Sequence, residues 1–347
     1  MSRYALLVSL SANRVYAEAA ARLTCAELAV LAETLLSGRL RQPRTERIAG
    51  VDYVTFDLEL DGGDDDALAH VANVSTVLAL FQRTPEDTFR PVPLRRLDCL
   101  DDDLLTILKY QGKTNELFTK LLLNVTVASS AAAPRMLTDR LRVLDPMCGR
   151  GTTLNQTLMY GWHASGLDTD QSDFEAYAAF LPRWLKDKRL KHTASTARLR
   201  REGRMLGRRF DAELAVSKRA WADGDTITVS TALADTREAS EVFRAESFDV
   251  IVTDAPYGVQ HGSRSGGGLQ RRPLDLLAEA LPGWARLLRP GGAVGIAVNL
   301  RTCPRDRALA LLAEAGLDPR DSAAYRGFEH RVDRAIQRDL VVANKPV

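Results

Sequence analysis

An acid, a proline and an aromatic residue follow one another directly after a strongly apolar segment. The segment FDVIVTD is typical of a buried strand that ends at Asp254, and Ala255, Pro256 and Tyr257 form a tight turn after it. The Asp254 carboxylate and a backbone carbonyl of the turn suit the two N–H groups of an amine conjugated to a base, and Tyr257 can stack on that base. We therefore predict Asp254, Pro256 and Tyr257 as catalytic residues and Ala255 as a substrate-binding residue, for a reaction at an exocyclic nitrogen of a base.

A glycine-rich turn follows an earlier apolar strand, RVLDP. Glycine lets the backbone approach a ligand closely, and ligands of open α/β sheets bind beyond the carboxyl ends of the strands. Leu154 breaks the dinucleotide fingerprint, and the acid at the strand's end suits a cation such as S-adenosylmethionine better than a pyrophosphate. A plain strand–turn–helix junction is the alternative. The predicted cofactor-binding residues of this turn are Asp145, Met147, Gly149, Gly151 and Thr152.

Acids also end the next strands. Asp168 follows the glycine turn by about 20 residues, where a carboxylate typically accepts both hydroxyls of a ribose, and Asp170 is the second choice for this role. Asp235 follows a third strand and either accepts from an adenine amino group or caps a helix. We assign Asp168, Asp235 and Asp254 to the cofactor-binding set.

Positive charge is concentrated in residues 183–219, which hold 13 Lys and Arg against four acids. The chain has 47 Lys and Arg and 45 Asp and Glu, so the remainder, with 34 and 41, is acidic. This basic insertion is expected to contact phosphates, with Arg189 and Lys191 as substrate-binding residues; a solvated helical face or a partly disordered loop is the alternative. Arg264, in a glycine-rich segment after Tyr257, is predicted to contact the substrate from a loop over the target base, and plain disorder is the alternative.

Composition excludes several classes of protein. The chain has 347 residues, 45% hydrophobic and 27% charged, as is ordinary for a globular protein with a sizeable core. Its four cysteines form no CxxC pair, so we predict free thiols and no metal site. No apolar run is long enough for a membrane span, and the short apolar start is more typical of a first strand than of a signal peptide. We predict a cytoplasmic protein.

The elements divide the chain into two domains. Residues 1–96 mix strands and helices and are predicted to form a small α+β domain, ferredoxin-like or partly THUMP-like, that binds RNA. Residues 97–347 alternate strands with helices, which indicates an α/β, Rossmann-like fold with a mostly parallel seven-stranded sheet. A helix is predicted near residues 25–36 and a strand near residues 323–326.

The glycine turn and the Asp254–Tyr257 motif together resemble class I S-adenosylmethionine-dependent methyltransferases of the amino-group type. That group carries [DNS]-P-P-[YFW] here, and Ala255 replaces its first proline. DAPYGV, the segment Tyr110–Thr114 and the tail Val332–Ile336 are most similar to THUMP-associated tRNA guanine-N2 methyltransferases and their bacterial relatives. The resemblance covers residues 107–347.

This resemblance implies a methyltransferase that modifies guanine N2 in tRNA, with S-adenosylmethionine as cofactor, RNA as partner, and neither metal nor membrane. Two alternatives stay open from the residues. One is an adenine-N6 methyltransferase that acts on DNA or RNA, and the other is a non-catalytic nucleic-acid-binding protein with this fold.

Overall fold

The structure is a computed structural model that describes residues 1–9, 11, 13–60, 65–86, 88–110, 112–256 and 273–347. For Asp65 the description is limited to the backbone. Within these residues the strands form two sheets, one in each predicted domain. None of the described helices has both the length and the apolar character that are needed to span a bilayer.

The elements of the amino-terminal domain are β1 (Ser2–Val8), α1 (Arg14–Glu33), β2 (Leu40–Ile48), β3 (Val51–Leu58), α2 (Asp65–Ala72), β4 (Val77–Arg83) and β5 (Phe89–Val92). Their sheet is antiparallel, with the strand order β2-β3-β1-β4-β5. The succession β1-α1-β2-β3-α2-β4 is that of ferredoxin-like folds. Helix α1 begins well before the helix that the sequence predicts, because the Asn13 side chain caps it by accepting from the Tyr16 amide.

The elements of the carboxyl-terminal domain are α3 (Asp103–Thr106), α4 (Glu116–Ala128), β6 (Arg142–Asp145), α5 (Thr152–Met159), β7 (His163–Asp168), α6 (Gln171–Asp187), β8 (His192–Arg201), β9 (Arg204–Leu214), α7 (Lys218–Ala222), β10 (Ile227–Leu233), α8 (Ala239–Val242), β11 (Phe248–Asp254), α9 (Pro273–Leu287), β12 (Leu288–Asn299), α10 (Arg305–Glu314), β13 (Asp318–Arg320), β14 (His330–Arg331) and β15 (Gln337–Asn344). The sheet has the order β13-β15-β12-β11-β6-β7-β10-β9-β8. Strands β12, β11, β6, β7 and β10 are parallel, and β15 runs antiparallel between β12 and β13. The predicted mostly parallel, Rossmann-like sheet is confirmed in the part of this order that extends from β13 to β10.

The basic insertion is ordered secondary structure rather than a loop. It comprises the end of α6, the β8–β9 hairpin and the start of α7. The hairpin extends the sheet beyond β10, with β9 antiparallel to β10 and β8 at the outer edge. Along β9, Phe210, Ala212 and Leu214 alternate inward and pack beneath α6, which explains how so charged a segment joins the core.

The two domains share a hydrophobic core. Helix α1 packs against α4, and one contiguous cluster contains Leu23 and Leu28 of α1 together with Leu121 and Val125 of α4. Within that interface the Glu27 carboxylate accepts hydrogen bonds from Ser75 and from the Asn124 side chain. The amino-terminal domain is therefore packed against the carboxyl-terminal domain through this core.

The prediction of a strand near residues 323–326 is wrong. Ala324–Arg326 forms a 3₁₀ turn instead. The Tyr325 ring is buried, its hydroxyl is 2.7 Å from the Ser129 hydroxyl, and Gly327 lies against Ala26 of α1. These contacts with two helices favour a compact turn over an extended segment.

Candidate active site

The corner that follows β11 lies at the carboxyl edge of the sheet. Asp254 ends the strand, and the Ala255 amide donates a 3.0 Å hydrogen bond to the Ala297 carbonyl of β12, which turns the chain inward. Ala255 is buried and Pro256 is exposed. The predicted residues Tyr257 and Arg264 lie outside the described residues.

Among the described residues, two side chains from distant parts of the sequence contact the Asp254 carboxylate. The Thr114 hydroxyl donates to Oδ2 at 2.6 Å, and an Arg338 guanidinium nitrogen lies 3.5 Å from the same oxygen. Arg338 is buried at 4% exposure, with its guanidinium 4.5 Å from the centre of the Phe118 ring. Both contacts fall on one oxygen, so together they restrict rotation of the carboxylate.

The glycine turn sits on the neighbouring strand. Gly149 and Gly151 have φ values of +48° and +82°, which side chains rarely adopt. The Gly149 amide donates to Asp168 Oδ2 at 2.7 Å. A Cβ at Gly151 would lie 2.3 Å from the Tyr177 ring, so the start of α5 requires glycine for space as well as for conformation.

The two predicted corners are adjacent. Strands β6 and β11 pair in parallel, and the Thr253 hydroxyl donates to Asp145 Oδ1 at 2.7 Å. The chain proceeds from β6 toward β10 on one side and from β11 toward β12 on the other, so the corners flank the topological switch point where open α/β sheets bind ligands.

Burial governs the protonation of the acid beneath the glycine turn. Asp145 is 3% exposed, and burial raises its pKa to about 6, although hydroxyl and amide donors favour its ionised form. Burial likewise raises the pKa of Asp168, whose carboxylate accepts from the amides of Gly149 and Asp170.

Asp235 caps a helical turn, which is the alternative that the sequence predicts for this residue. Its carboxylate accepts from the Arg237 backbone amide at 2.9 Å, at the start of the 3₁₀ turn Thr236–Glu238, and it pairs with the Arg237 guanidinium. An interaction with adenine stays a prediction.

Two cavities open at this edge, one on either side of the glycine turn. The larger has a volume of about 500 Å³ and the other about 300 Å³. The first is lined by the predicted residues Asp145, Gly149, Thr152 and Asp254, and the second by Met147, Asp168, Asp235, Asp254 and Pro256. The structure thus brings these predicted residues together. Gly151 is not among the residues that line either cavity, and its backbone conformation and its closeness to Tyr177 determine the shape of the turn.

The larger cavity also contains residues to which the sequence assigns no role. Tyr110 donates or accepts a 2.9 Å hydrogen bond with the Thr152 hydroxyl, and Arg150 pairs with Asp173 at 2.7 Å and covers the Tyr110 ring. Thr114 lines the same cavity. The only sequence signal for this region is the similarity of Tyr110–Thr114 to the methyltransferases named above.

Arg189 and Lys191 do not approach this site. They precede β8, whose first residue, His192, pairs with Leu214, and Leu214 pairs with Ile227 at the start of β10. They therefore lie at the amino edge of the sheet, opposite the edge that bears Asp254. Their predicted contact with a substrate at Asp254 receives no support from this placement.

Comparison with known proteins supports a class for the larger domain. Residues 122–293 match the family model described as RMKL-like, methyltransferase domain. Together with the sheet and the two corners, this match supports a class I S-adenosylmethionine-dependent methyltransferase. No curated protein sequence matches.

Solved structures to which this chain is similar include TrmN from Thermus thermophilus, with 19% identity and a TM-score of 0.38 over 68% of this chain. This chain covers 50% of that structure, about half of its length. A methyltransferase from Pyrococcus furiosus has 11% identity and a TM-score of 0.41, with coverage of 69% of this chain and 89% of that one. At these values the likenesses carry no conclusion about the substrate.

The donor set fits S-adenosylmethionine, the cofactor of this class. Carboxylates line both cavities, which suits the sulfonium and ammonium charges and the ribose hydroxyls. Met147, Pro146 and Leu276 add apolar surface to the smaller cavity, suited to a purine ring. Within the described residues, no group of three or more His, Cys, Asp or Glu side chains is arranged to hold a metal ion.

Proposed function

We propose that this methyltransferase modifies an exocyclic amino group of a base in RNA, with guanine N2 in tRNA as the target. The observation that carries the proposal is the Asp254 carboxylate, held by two donors at an edge shared by both cavities and one strand away from the glycine turn.

The chemistry follows from the weak nucleophilicity of such an amine, whose lone pair is conjugated into the base. Asp254 accepts one N–H, and a backbone carbonyl of the following turn accepts the other. These bonds draw the nitrogen toward a tetrahedral geometry and release its lone pair for attack. When bound, the cofactor would supply an electrophilic methyl group on a sulfonium, whose carbon–sulfur bond breaks as the nitrogen–carbon bond forms and leaves a thioether. The methylated nitrogen then loses its extra proton to solvent. Orientation of the amine then provides much of the rate.

Thr114 and Arg338 act as positioning residues in this proposal. Their contacts with Oδ2 hold the carboxylate at a fixed angle, so that it meets the amine without first losing rotational freedom. The buried positive charge of Arg338 also compensates the charge of Asp254.

The cofactor-binding roles follow the two cavities. Asp168, with Asp170 beside it, accepts from the ribose hydroxyls; Met147 covers the adenine and Asp235 accepts from its amino group. Asp145 and Thr152 belong to the wall of the larger cavity, on the methionine side. These assignments are part of the proposal.

The choice of tRNA guanine rests on the similarity of DAPYGV, Tyr110–Thr114 and Val332–Ile336 to guanine-N2 methyltransferases. The basic insertion supports a polyanionic substrate, because clustered Lys and Arg attract phosphates independently of sequence. We include the amino-terminal domain in the RNA-binding surface.

Nucleoside profiling of RNA from cells that lack this protein tests the proposal. We expect loss of N2-methylguanosine from tRNA and its return when the wild-type gene, but not an Asp254→Ala variant, is supplied. Loss of a methylated adenosine with guanosine modification intact would overturn the guanine assignment. Absence of S-adenosylmethionine binding in calorimetry at millimolar cofactor would instead favour a non-catalytic protein.

A further inference from the structure

The cavities and the basic insertion have opposite charge. Among the described residues, the larger cavity is lined by Asp145, Asp170, Asp173 and Asp254, and the cation in that lining, Arg150, is paired with Asp173. A cavity of this kind accepts a neutral base and repels its phosphates. If a polynucleotide presents the base, as the proposed function requires, other residues must hold its backbone.

We propose that the turn end of the β8–β9 hairpin, through Arg198 and Arg200, binds the phosphates of that polynucleotide. We call residues 198–204 the hairpin tip. The inference rests on the proposed function for the identity of the partner, and it assigns the contact to a different end of the insertion from Arg189 and Lys191.

Strand register places the tip at the edge of the sheet that carries the active site. Arg198 pairs with Arg208, and Arg208 pairs with Leu233, the last residue of β10. The parallel strands β10, β7, β6 and β11 all end on this edge. The tip therefore continues the row of strand ends that includes Asp168, Asp145 and Asp254.

The tip also lies on the side of the sheet where the larger cavity opens. The Arg208 side chain contacts Glu175 at 2.8 Å and covers the Phe174 ring, both in the first turns of α6. The start of α6 lines that cavity through Ser172 and Asp173. Because directly paired residues share a face, Arg198 lies on this side with Arg208.

Arginines of the tip divide into anchored and available groups. Arg201 donates to the backbone carbonyls of Ser240 and Glu241, and Arg204 pairs with Glu238. These bonds fasten the tip to the body of the domain. The Arg198 and Arg200 side chains are exposed, and within the described part of the chain they form no side-chain hydrogen bond or ion pair. Their guanidinium groups are therefore available for bidentate contact with phosphate.

The distance between the hairpin tip and Asp254 indicates how large the partner must be. Five strand spacings of about 4.8 Å put the tip roughly 24 Å from Asp254 along the sheet. That equals about seven steps of roughly 3.4 Å along a nucleic-acid strand. A mononucleotide cannot contact both places, whereas a tRNA can.

The hairpin supplies its own control, because Arg189 and Lys191 are two equally exposed cations at the opposite edge. The test compares Arg198→Gln/Arg200→Gln with Arg189→Gln/Lys191→Gln, which have the same net charge. Binding of end-labelled bulk tRNA is measured by fluorescence anisotropy over a range of about 50 to 300 mM salt, without cofactor.

We expect the tip variant to raise the Kd at about 100 mM salt about tenfold and to reduce the slope of log K against log salt by about 1.4–1.8, for two lost phosphate contacts. The control variant should change the Kd less than twofold. Equal losses, no loss from the tip variant, or no binding by the wild type would overturn the inference.

A parallel assay separates this inference from the proposed function. If the tip variant alone loses tRNA binding but the wild type transfers no methyl group to any base, the proposed function fails and the phosphate surface stands. If the wild type methylates tRNA and both variants bind it equally, only the phosphate surface fails.

Discussion

The carboxylates of Asp254, at the active-site corner, and Glu27, at the domain interface, both lie in polar clusters but differ in their surroundings. Asp254 is partly exposed at the edge of two cavities, and a hydroxyl and a guanidinium hold it. Glu27 is 1% exposed, and its hydrogen-bond donors, the Ser75 amide and hydroxyl and the Asn124 side chain, are all neutral. Burial raises the pKa of Glu27 to about 7 despite these donors.

The difference shows that burial and a shifted pKa do not by themselves mark a functional acid. Glu27 joins α1 to the larger domain and is enclosed by protein, which gives it a structural task. Asp254 borders space that a ligand can occupy, and its partners come from segments 140 and 84 residues away. Removing each acid should therefore affect different properties.

The largest expected effect comes from Asp254→Ala. The amine loses its acceptor at the reacting centre, so we expect kcat/KM for methyl transfer to tRNA to fall about 10³-fold. The Kd for S-adenosylmethionine, measured by calorimetry, should rise far less than kcat/KM falls, because the other carboxylates that line the two cavities remain. Transfer at the wild-type rate would refute the role of Asp254.

Next in size is Arg338→Met, with Arg338→Lys as its matched partner. Loss of the buried charge should lower kcat about 100-fold because Asp254 is no longer held, while the KM for tRNA changes little. Lysine retains the charge and should restore kcat to within about tenfold of the wild type. If Arg338→Met and Arg338→Lys lose activity and thermal stability to the same extent, Arg338 contributes only to packing.

A smaller effect is expected at Thr114. Thr114→Val keeps the shape but removes the hydroxyl that donates to Asp254, so kcat should fall about tenfold. Thr114→Ser keeps the hydroxyl and should act nearly as the wild type does. Steady-state assays on both proteins check this, and a serine variant as slow as the valine variant would contradict it.

Glu27→Gln should leave kcat within twofold of the wild type and change stability instead. The pKa of Glu27 rises from 4.5 to about 7 on folding, so the folded state binds the extra proton between these values. The free energy of unfolding of the wild type, relative to the glutamine variant, should therefore fall by about 3 kcal/mol as the pH rises from about 4.5 to about 8.

Urea unfolding of both proteins across this pH range provides the measurement. The comparison cancels the contributions of other titrating groups, Asp145 included, because both proteins contain them. A difference in stability that does not vary with pH would show that Glu27 keeps its ordinary protonation. A large loss of kcat would remove the contrast with Asp254.

The sequence is sufficient to predict the parallel sheet and the residues at its edge. Apolar strands such as FDVIVTD are buried on both faces, so composition alone identifies them, and the acids and glycines at their ends necessarily meet at one edge. For this reason the strand pattern by itself groups Asp145, Asp168 and Asp254 at a common site.

Other features depend on contacts that no local pattern records. Strand β2, LRQPRTERI, is almost wholly polar because it is an edge strand, where even proline is tolerated. The direction of the β8–β9 hairpin determines which cations lie at the edge of the sheet that carries the active site. A count of the charges in the sequence does not predict that direction. The pairing of Thr114 and Arg338 with Asp254 likewise exists only after folding.

The most direct test of the central claim is the identity of the atom that receives the methyl group. The protein is incubated with unmodified tRNA and S-adenosylmethionine bearing a deuterated methyl, and the digested nucleosides are analysed by mass spectrometry against standards. The account predicts the label on the exocyclic nitrogen of guanosine, and none with Asp254→Ala. Label on a ring nitrogen, a ring carbon or a ribose hydroxyl would contradict it.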